Sequence, residues 1–276
     1  MKDHARLQRR VQRYGWDLAA SRYDALWQAQ LSQAHRRLLA LAPAAQGESV
    51  LDVACGTGVM ALAAAEAVGS NGSVVGVDIA ERMVEEANAQ ARARGLPHAR
   101  FVRMDGETLD TSGVGFDVAY CALGLMYMPD PDQAMRGMHG ALRPGGRVAV
   151  AVWGQRARCG WSPVFPIVDE EVASDVCPLF FQLGHEGMLA DLCARAGFVD
   201  AEEHRVEAVL AYANDDDACD AAFVGGPVAM AWSRFDEATR RRVRTRYLQA
   251  IRPWRVGQGY RMPGEFVVAT ARRRTG

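Results

Sequence analysis

The segment at residues 50–60 constrains the fold of this chain more than any other stretch, and its sequence is VLDVACGTGVM. Its apolar first half, residues 50–54, predicts a short buried strand, and the alanine-rich run at 59–68 predicts a helix. Gly56 and Gly58 lie between them, where the backbone has to turn tightly. A strand, a glycine turn and a helix in this order are typical of a loop that binds a nucleotide cofactor, with the helix N-terminus facing a negatively charged group of the ligand.

Short apolar strands alternate with helices between residues 49 and 153. Strands are predicted at 49–54, 74–78, 100–104, 116–122 and 147–153, and helices at 59–68, 81–94 and 132–142. Such alternation predicts a parallel sheet that is covered by helices on both faces. The predicted fold class is therefore α/β, a Rossmann-like doubly wound sheet with helical insertions forming a cap.

The segments on either side of this core are less regular. Before it we predict two helices, the first with apolar residues at helical spacing among arginines and the second at 23–41. After it we predict a helix at 186–196, strands at 201–213 and 265–271, and two insertions, of which the second, from 215 to about 252, holds two helices. We expect one domain at 1–276, divided into an N-terminal helical lid at 1–45, a cofactor-binding core at 46–153, and a substrate cap with the last strands at 154–276.

Composition argues against several kinds of partner. Charged residues make up 24% of the chain and the formal net charge is −1, so the overall charge favours neither nucleic acid nor an anionic membrane. The basic face of the first helix is interpreted as a solvated face rather than a nucleic-acid arm. No apolar run reaches the roughly 20 residues of a membrane span, and the basic segment 1–13 lacks the apolar centre of a secretory signal. We therefore expect a cytoplasmic enzyme.

The six cysteines contain no C-x-x-C pair, so they predict neither a metal site nor a disulfide framework. They are Cys55, Cys121, Cys159, Cys177, Cys193 and Cys219. We interpret most of them as small buried apolar residues.

The glycine turn alone does not identify the cofactor. Residues 56–61 fit G-x-G-x-x-A, which also occurs at sites for NAD and FAD, so an oxidoreductase with a nucleotide cofactor is one alternative. Asp52 lies in the strand that leads into the turn, and its carboxylate would repel a doubly negative pyrophosphate. S-adenosylmethionine instead presents an ammonium group that suits Asp52 and a carboxylate that suits the helix N-terminus. The charge pattern favours S-adenosylmethionine.

Two further acidic residues end the next two predicted strands. Asp78 is placed to accept the ribose hydroxyls of either kind of cofactor, and Asp105, followed by Gly106, is placed to accept the adenine amino group. Each alone could be a helix cap or a loop carboxylate. Together with Asp52 they mark three successive strands, whose carboxyl ends line the ligand crevice of an open parallel sheet.

Several motifs occur in order: DVACGTG at 52–58, Asp78, Asp105 with Gly106, GLMYMPD at 124–130 and LRPGG at 142–146. Together they resemble class I S-adenosylmethionine-dependent methyltransferases, and most closely the ubiquinone/menaquinone C-methyltransferase-like group. Arg22-Tyr23-Asp24 is similar to the N-terminal Y-D element of that group. The resemblance covers residues 16–153 and implies a seven-stranded sheet whose last strand is antiparallel, with 265–271 as the candidate.

The resemblance also implies roles for single residues. It assigns Thr57 and the two glycines of the turn to the methionine part of the cofactor, Asp78 to the ribose, and Asp105 with Gly106 to the adenine. The other residues expected around the cofactor are Tyr23, Ile79, Met83 and Ala122. Ala122 stands where the quinone enzymes carry serine, so the chain lacks a hydroxyl there, and this departure weakens a quinone as the specific substrate.

The expected reaction is methyl transfer to oxygen, nitrogen or carbon of a small molecule. Aromatic residues are frequent in the two insertions, which predicts an apolar pocket for a flat or lipophilic acceptor beside a small satellite core. No general base can be assigned from the sequence. The two candidates are His185, in the insertion expected to cover the pocket, and Tyr127, after the fourth strand. Helix capping by His185 and helix packing by Tyr127 explain these residues as well.

Other functions agree less well with the sequence. A nucleic-acid amino-methyltransferase would carry Asn/Asp-Pro-Pro-aromatic after the fourth strand, where this chain has CALG at 121–124. The arginine run at 240–246 is interpreted as an exposed helix face. An arsenite methyltransferase needs clustered thiols, for which the separation of Cys159 and Cys177 gives little support. A non-catalytic module that only binds S-adenosylmethionine stays an alternative. We expect no metal.

Overall fold

The computed structural model describes residues 2–110, 115–173 and 180–276, with side chains from residue 5 onward. Its strands are β1 (Ser49–Val53), β2 (Ser73–Asp78), β3 (Ala99–Arg103), β4 (Phe116–Ala122), β5 (Leu142–Trp153), β6 (Val199–Tyr212), β7 (Arg255–Val256) and β8 (Gly259–Arg272). Its α-helices are α1 (Lys2–Leu41), α2 (Val59–Val68), α3 (Glu81–Ala93), α4 (Pro131–Ala141), α5 (Val164–Val172), α6 (Met188–Arg195), α7 (Asp215–Phe223), α8 (Ala229–Arg234) and α9 (Glu237–Ile251).

One sheet runs through the molecule in the order β3-β2-β1-β4-β5-β8-β6, and the short β7 pairs with β8. Strands β1 to β5 pair in parallel, whereas β8 runs antiparallel to both β5 and β6. This topology confirms the predicted α/β doubly wound fold and its antiparallel last strand. The strand order reverses at β1, because β2 and β3 lie on one side of it and β4 and β5 on the other. Ligands of open α/β sheets bind at the carboxyl ends of the strands near such a reversal.

The N-terminal region forms one helix of 40 residues, so the prediction of two helices was wrong. The sequence between the two apolar patterns is Ala19-Ala20-Ser21, which contains no residue that breaks a helix. The continuous helix places Trp16 and Tyr23 two turns apart on one face. Both residues line the cavity described below.

Strand β5 begins at Leu142, five residues before the predicted start at 147. Its pairing with β4 shifts between Phe116 and Val118, which are opposite Leu142 and Arg147. The residues between form a bulge in which Gly145 has a φ of +80°. The predicted Pro-Gly-Gly turn is therefore present, but as an irregularity inside a longer strand.

The second insertion holds three helices, α7, α8 and α9, where two were predicted. The additional helix α8 has six residues, too few to give a clear helical period in the sequence.

Two kinds of feature are absent from the described ranges. No helix in them combines the length and apolarity needed to cross a bilayer, and no group of three or more His, Cys, Asp or Glu side chains in them is placed to hold a metal ion. The five cysteines in these ranges are free and buried, as expected, while Cys177 lies outside the described residues.

Candidate active site

A cavity lies where β1 to β5 end, and α1 runs along it. The strands and the turns after them contribute Gly56, Asp78, Ile79, Asp105, Gly106, Ala122 and Trp153, among others. Helix α1 contributes Arg9, Gln12, Trp16, Tyr23, Trp27 and Leu31. Eight residues that the sequence assigned to the cofactor therefore face one cavity: Tyr23, Gly56, Asp78, Ile79, Met83, Asp105, Gly106 and Ala122.

The glycine turn after β1 has the conformation expected of it. Gly56 and Gly58 have φ values of +54° and +90°, in the left-handed region that favours glycine. The amide of Gly58 donates to the carbonyl of Cys55 at 2.9 Å and closes the turn. A Cβ at Gly58 would lie 3.1 Å from the ring of Phe101. Backbone conformation and space both favour glycine at this position.

Asp78 holds the glycine turn against the end of β2. Its carboxylate accepts from the Gly56 amide and from the Ala80 amide, each at 2.9 Å. The residue is 8% exposed and lines the cavity. Burial raises the pKa of Asp78 to about 6, although the two amides that donate to it act in the opposite direction.

Asp52 lies deeper, in the middle of the sheet, and is 1% exposed. It is not one of the residues that line the cavity among those the structure describes. Neither carboxylate oxygen has a hydrogen-bond partner of ordinary geometry in the described chain. Burial raises the pKa of Asp52 to about 8, and the nearby Asp78 adds to the rise. The expected contact between Asp52 and the cofactor ammonium stays a prediction.

Thr57 joins the glycine turn to α1. Its hydroxyl donates to the Asp24 carboxylate at 2.5 Å, and the other oxygen of Asp24 accepts from Gln90 of α3 at 2.9 Å. Thr57 and Gly58 lie behind the cavity lining, as far as the structure describes it. The neighbouring Tyr23 does line it, and Arg22 forms an ion pair with Asp220 of α7 at 2.8 Å. The Arg-Tyr-Asp element thus joins the turn, the cavity and the cap.

Asp105 and Glu107 form an acidic pair that sequence reasoning only half identified. Arg9 of α1 donates to Glu107 at 2.5 Å and lies 3.2 Å from Asp105. The second oxygen of Glu107 accepts from the Asp130 amide at 2.5 Å. Arg9 and Glu107 both line the cavity and were missed. Glu107 follows Asp105 by two residues and was accessible from the sequence, whereas Arg9 is distant in the chain and gave no local signal.

The opposite side of the cavity is aromatic. Trp153 ends β5, and its ring lies 4.9 Å from that of Trp161, centroid to centroid. Trp27 of α1 lies 5.6 Å from Trp161, and Gly226 with Pro227 of the cap complete this side. The buried Nε1 of Trp161 has no hydrogen-bond acceptor in the described chain. Because β5 and β3 lie on opposite sides of β1, this aromatic end is separated from the acidic end at Asp105.

Of the two candidate bases, Tyr127 lines the cavity and His185 is not among the described residues that do. His185 is exposed and is not among the described residues that line the cavity, so the structure does not bring it to the site. It precedes Gly187, the N-cap of α6. Tyr127 does line the cavity, where its ring lies 5.1 Å from Trp16 and 5.3 Å from Phe180.

Gly124 is the point at which the turns after β1 and β4 touch. Its missing Cβ would lie 2.4 Å from the Cβ of Ala54 and 3.0 Å from the sulfur of Cys121. Ala54 and Leu123 both have positive φ, at +56° and +63°. Because this backbone conformation is already strained for residues other than glycine, neither turn can easily move away from an added methyl group. We expect Gly124→Ala to lower the free energy of unfolding by about 1–3 kcal/mol in a urea titration. Gly140→Ala is the control, because nothing lies within 4 Å of its missing Cβ. An equal loss in both variants would contradict the packing argument.

Comparison with known proteins gives a consistent result. A model of the methyltransferase domain family matches residues 50–146. Aklanonic acid methyltransferase DauC from Streptomyces sp. (strain C5) is 37% identical over 134 residues, which cover 49% of this chain and 61% of that protein. Nocamycin O-methyltransferase from Saccharothrix syringae is 32% identical over 202 residues, which cover 68% of this chain and 72% of that protein.

Other matches agree. Demethylmenaquinone methyltransferase from Geobacillus kaustophilus (strain HTA426) is 29% identical over 175 residues, covering 57% of this chain and 73% of that protein. Among solved structures, the YcgJ protein from Bacillus subtilis superposes with a TM-score of 0.62 at 15% identity, over 90% of this chain and all of that one, and this likeness concerns the fold alone.

The sequence matches identify the class of protein as a methyltransferase, and the fold agrees with it. The chain belongs to the class I S-adenosylmethionine-dependent methyltransferases. The family resemblance inferred from the motifs, the enzyme class and S-adenosylmethionine as cofactor are thereby confirmed. The alternative of a nucleotide-dependent oxidoreductase finds no support in these relatives.

Proposed function

We propose that this enzyme methylates a small, flat and lipophilic molecule. The molecule carries an oxygen atom close to the atom that accepts the methyl group. The observation that carries the proposal is the division of one cavity into a polar end at the glycine turn and an aromatic end under the cap. Relatives named for aklanonic acid, nocamycin and demethylmenaquinone support a small-molecule acceptor. A protein or nucleic-acid acceptor is not part of the proposal, because the described aromatic end is bordered by α1 and the cap.

The residues at the polar end fit S-adenosylmethionine. Asp78 and Asp105 offer carboxylates to hydroxyl and amino groups, and the turn at Gly56 leaves backbone exposed to the cavity. Gly106 keeps the backbone close to its neighbours, since a Cβ there would lie 2.8 Å from Met128. We assign the cofactor to these residues together with Tyr23, Ile79, Met83 and Ala122. Asp52 and Thr57 do not line the described cavity, and we assign them to support of the glycine turn from its buried side.

When bound, the cofactor supplies a methyl group activated by a positively charged sulfur. The chain has to orient the acceptor in line with that group, which reduces the entropic part of the barrier, and to exclude water while the charge disperses. The apolar rings of Trp16, Trp27 and Trp161 line the cavity and exclude water from it. Tyr127 stays the candidate for contact with the acceptor, and no proton transfer is assigned to it.

Trp161 is proposed to orient the acceptor. Its buried N–H lacks an acceptor in the described chain, and a buried donor without a partner costs free energy that a ligand oxygen would recover. We expect Trp161→Phe to raise KM for the acceptor about three- to tenfold, with kcat changed less. Trp232→Phe is the matched control, because Trp232 stacks on Phe223 at 4.5 Å and is not among the described cavity residues. Unchanged KM in Trp161→Phe would remove this role.

The division of the chain into parts belongs to the same proposal. Residues 1–45 act as a lid because six residues of α1 line the cavity, 46–153 hold the cofactor, and 154–276 cover the acceptor. A cytoplasmic location likewise stays a prediction, which fractionation of cells that produce the protein would check.

The direct test is product mass. The enzyme is incubated with S-adenosylmethionine and separate phenols, hydroxyquinones, carboxylic acids and amines, and a gain of one CH2 identifies the acceptor class. Oxygen-bearing flat molecules are expected to react. Calorimetric binding of NADH without binding of S-adenosylhomocysteine would refute the proposal, and binding without turnover on any acceptor would favour a non-catalytic module.

A further inference from the structure

Two helices of this chain are rich in arginine, and they differ in how their charges are balanced. On α9, four arginines form ion pairs with carboxylates: Arg241 with Glu237, Arg242 with Glu171, Arg244 with Asp216 and Arg246 with Glu170. The arginine run that the sequence singled out at 240–246 is therefore largely neutralised by its own surroundings.

The arginines on the outer side of α1 lack such partners. Arg6, Arg10 and Arg13 form no ion pair with any carboxylate among the side chains that the structure describes, from residue 5 onward. Instead, the guanidinium groups of Arg10 and Arg13 lie 5.9 Å and 4.4 Å from the ring centroid of Tyr14. The formal net charge of the whole chain is −1, so this positive charge is local to α1.

An exposed apolar stripe runs beside these arginines. Leu7, Tyr14 and Leu18 are 57%, 41% and 52% exposed. Their spacing of seven and four residues places them on one face of a helix. The opposite face, which includes Gln12 and Ala19, is buried. Helix α1 therefore has one buried side against the protein and an apolar stripe that faces outward, flanked by arginine.

We infer that this outer face of α1 is a docking surface for a bilayer that contains anionic lipid. Charge complementarity selects the partner, since unpaired arginines favour an anionic surface, and the leucine-tyrosine stripe has the character that a helix needs to enter the acyl boundary. The phosphates of a nucleic acid could pair with the arginines, but they would not cover the exposed side chains of Leu7 and Leu18. The inference rests on α1 alone and does not depend on the proposed acceptor.

The docking surface also borders the cavity. A groove beside α1 is lined by Arg6, Arg10, Arg13 and Arg103, and it shares Arg9, Ile79, Met104 and Asp105 with the cavity. A bilayer held against α1 would therefore lie next to the mouth of the site.

The test is sedimentation of the full chain with vesicles, either of phosphatidylcholine alone or with phosphatidylglycerol added. We expect binding to the anionic vesicles and little to the neutral ones. One variant carries Arg6→Gln, Arg10→Gln and Arg13→Gln, and a second carries Leu7→Ser and Leu18→Ser. Each arginine near an anionic surface accounts for about fivefold in affinity, so the first variant should bind at least tenfold more weakly. The second should lose a comparable amount, with its loss persisting at low salt.

The matched control carries Arg241→Gln, Arg244→Gln and Arg246→Gln, which remove the same charge from α9. The main partners of these three arginines, Glu237, Asp216 and Glu170, are exposed. Arg246 also lies 3.9 Å from the less exposed Glu171, which keeps its ion pair with Arg242 in the control. The control should therefore stay folded, and circular dichroism checks all variants. The control is expected to bind like the wild type. An equal loss in the control, full binding by the leucine variant, or retention by a DNA duplex but not by anionic vesicles would each overturn the inference.

Discussion

Asp78→Ala is expected to weaken binding of S-adenosylhomocysteine by about a hundredfold or more. The wild-type carboxylate accepts from the amides of Gly56 and Ala80, so its removal leaves one donor in the glycine turn and one at the start of α3 without this acceptor. A hydrogen bond to a charged group contributes about 1.5–3 kcal/mol. The variant loses both the turn geometry and the contacts with the cofactor hydroxyls, which together contribute about 3 kcal/mol. A loss of this size corresponds to an increase of about a hundredfold in the dissociation constant. Isothermal calorimetry measures it.

Asp132→Ala is the control for this experiment. Asp132 pairs with Arg195 at 2.7 Å and is not among the described residues that line the cavity. It should leave the dissociation constant unchanged. Asp78→Asn, which keeps one acceptor oxygen, should give an intermediate value. If Asp78→Ala binds as tightly as the wild type, Asp78 does not belong to the cofactor site.

Asp52→Asn is expected to stabilise the ligand-free enzyme at pH 8. In the folded chain burial raises the pKa of Asp52 to about 8, whereas the ordinary value is 3.8. Between these two values the folded state holds a proton that the unfolded state has released, so the free energy of unfolding falls as the pH rises. One such proton changes it by up to roughly 1.4 kcal/mol per pH unit. From pH 6 to pH 8 the wild type should therefore lose roughly 1–3 kcal/mol that Asp52→Asn does not lose.

The window from pH 6 to pH 8 separates Asp52 from Asp78, whose pKa of about 6 places most of its effect below that range. Urea unfolding at several pH values provides the measurement. A wild-type slope that persists in Asp52→Asn would show that another group titrates. Calorimetry on the same variant also tests the predicted contact with the cofactor ammonium, since that contact requires the variant to bind S-adenosylhomocysteine more weakly while it folds more stably.

Local sequence was sufficient for the parallel core and for most of the residues that line the cavity near the glycine turn. Strands β1, β2 and β4 lie close to their predicted bounds because each is a short, mainly apolar run that begins or ends near glycine or an acidic residue. Strand β3 is also close to its predicted bounds, since apolar residues are interspersed with arginine between Pro97 and Asp105. Asp78 and Asp105 were found because a residue that ends a strand of an open sheet must face the crevice. Asp52 differs from these two residues, because it lies within β1, under the turn, and does not line the described cavity, so its contact with the cofactor stays a prediction.

Contacts between distant segments could not be predicted in this way. Arg9 reaches Glu107 across 98 positions of the chain, and Asp24 reaches Thr57 across 33. Trp27 and Trp161 meet only because α1 and the first insertion pack on the same end of the sheet. His185 was chosen from its place in that insertion, yet periodicity gives no information about which way a loop residue faces.

The continuity of α1 has a mechanical consequence. A helix of 40 residues is roughly 60 Å long and bends little without proline. Its first turns hold Arg9 against the acidic pair, its middle holds Asp24 against the glycine turn, and Arg22 ties it to α7. Because these contacts join one continuous helix to the acidic pair, to the glycine turn and to α7, we expect that α1 cannot lift from one of these parts without loosening its contacts with the others.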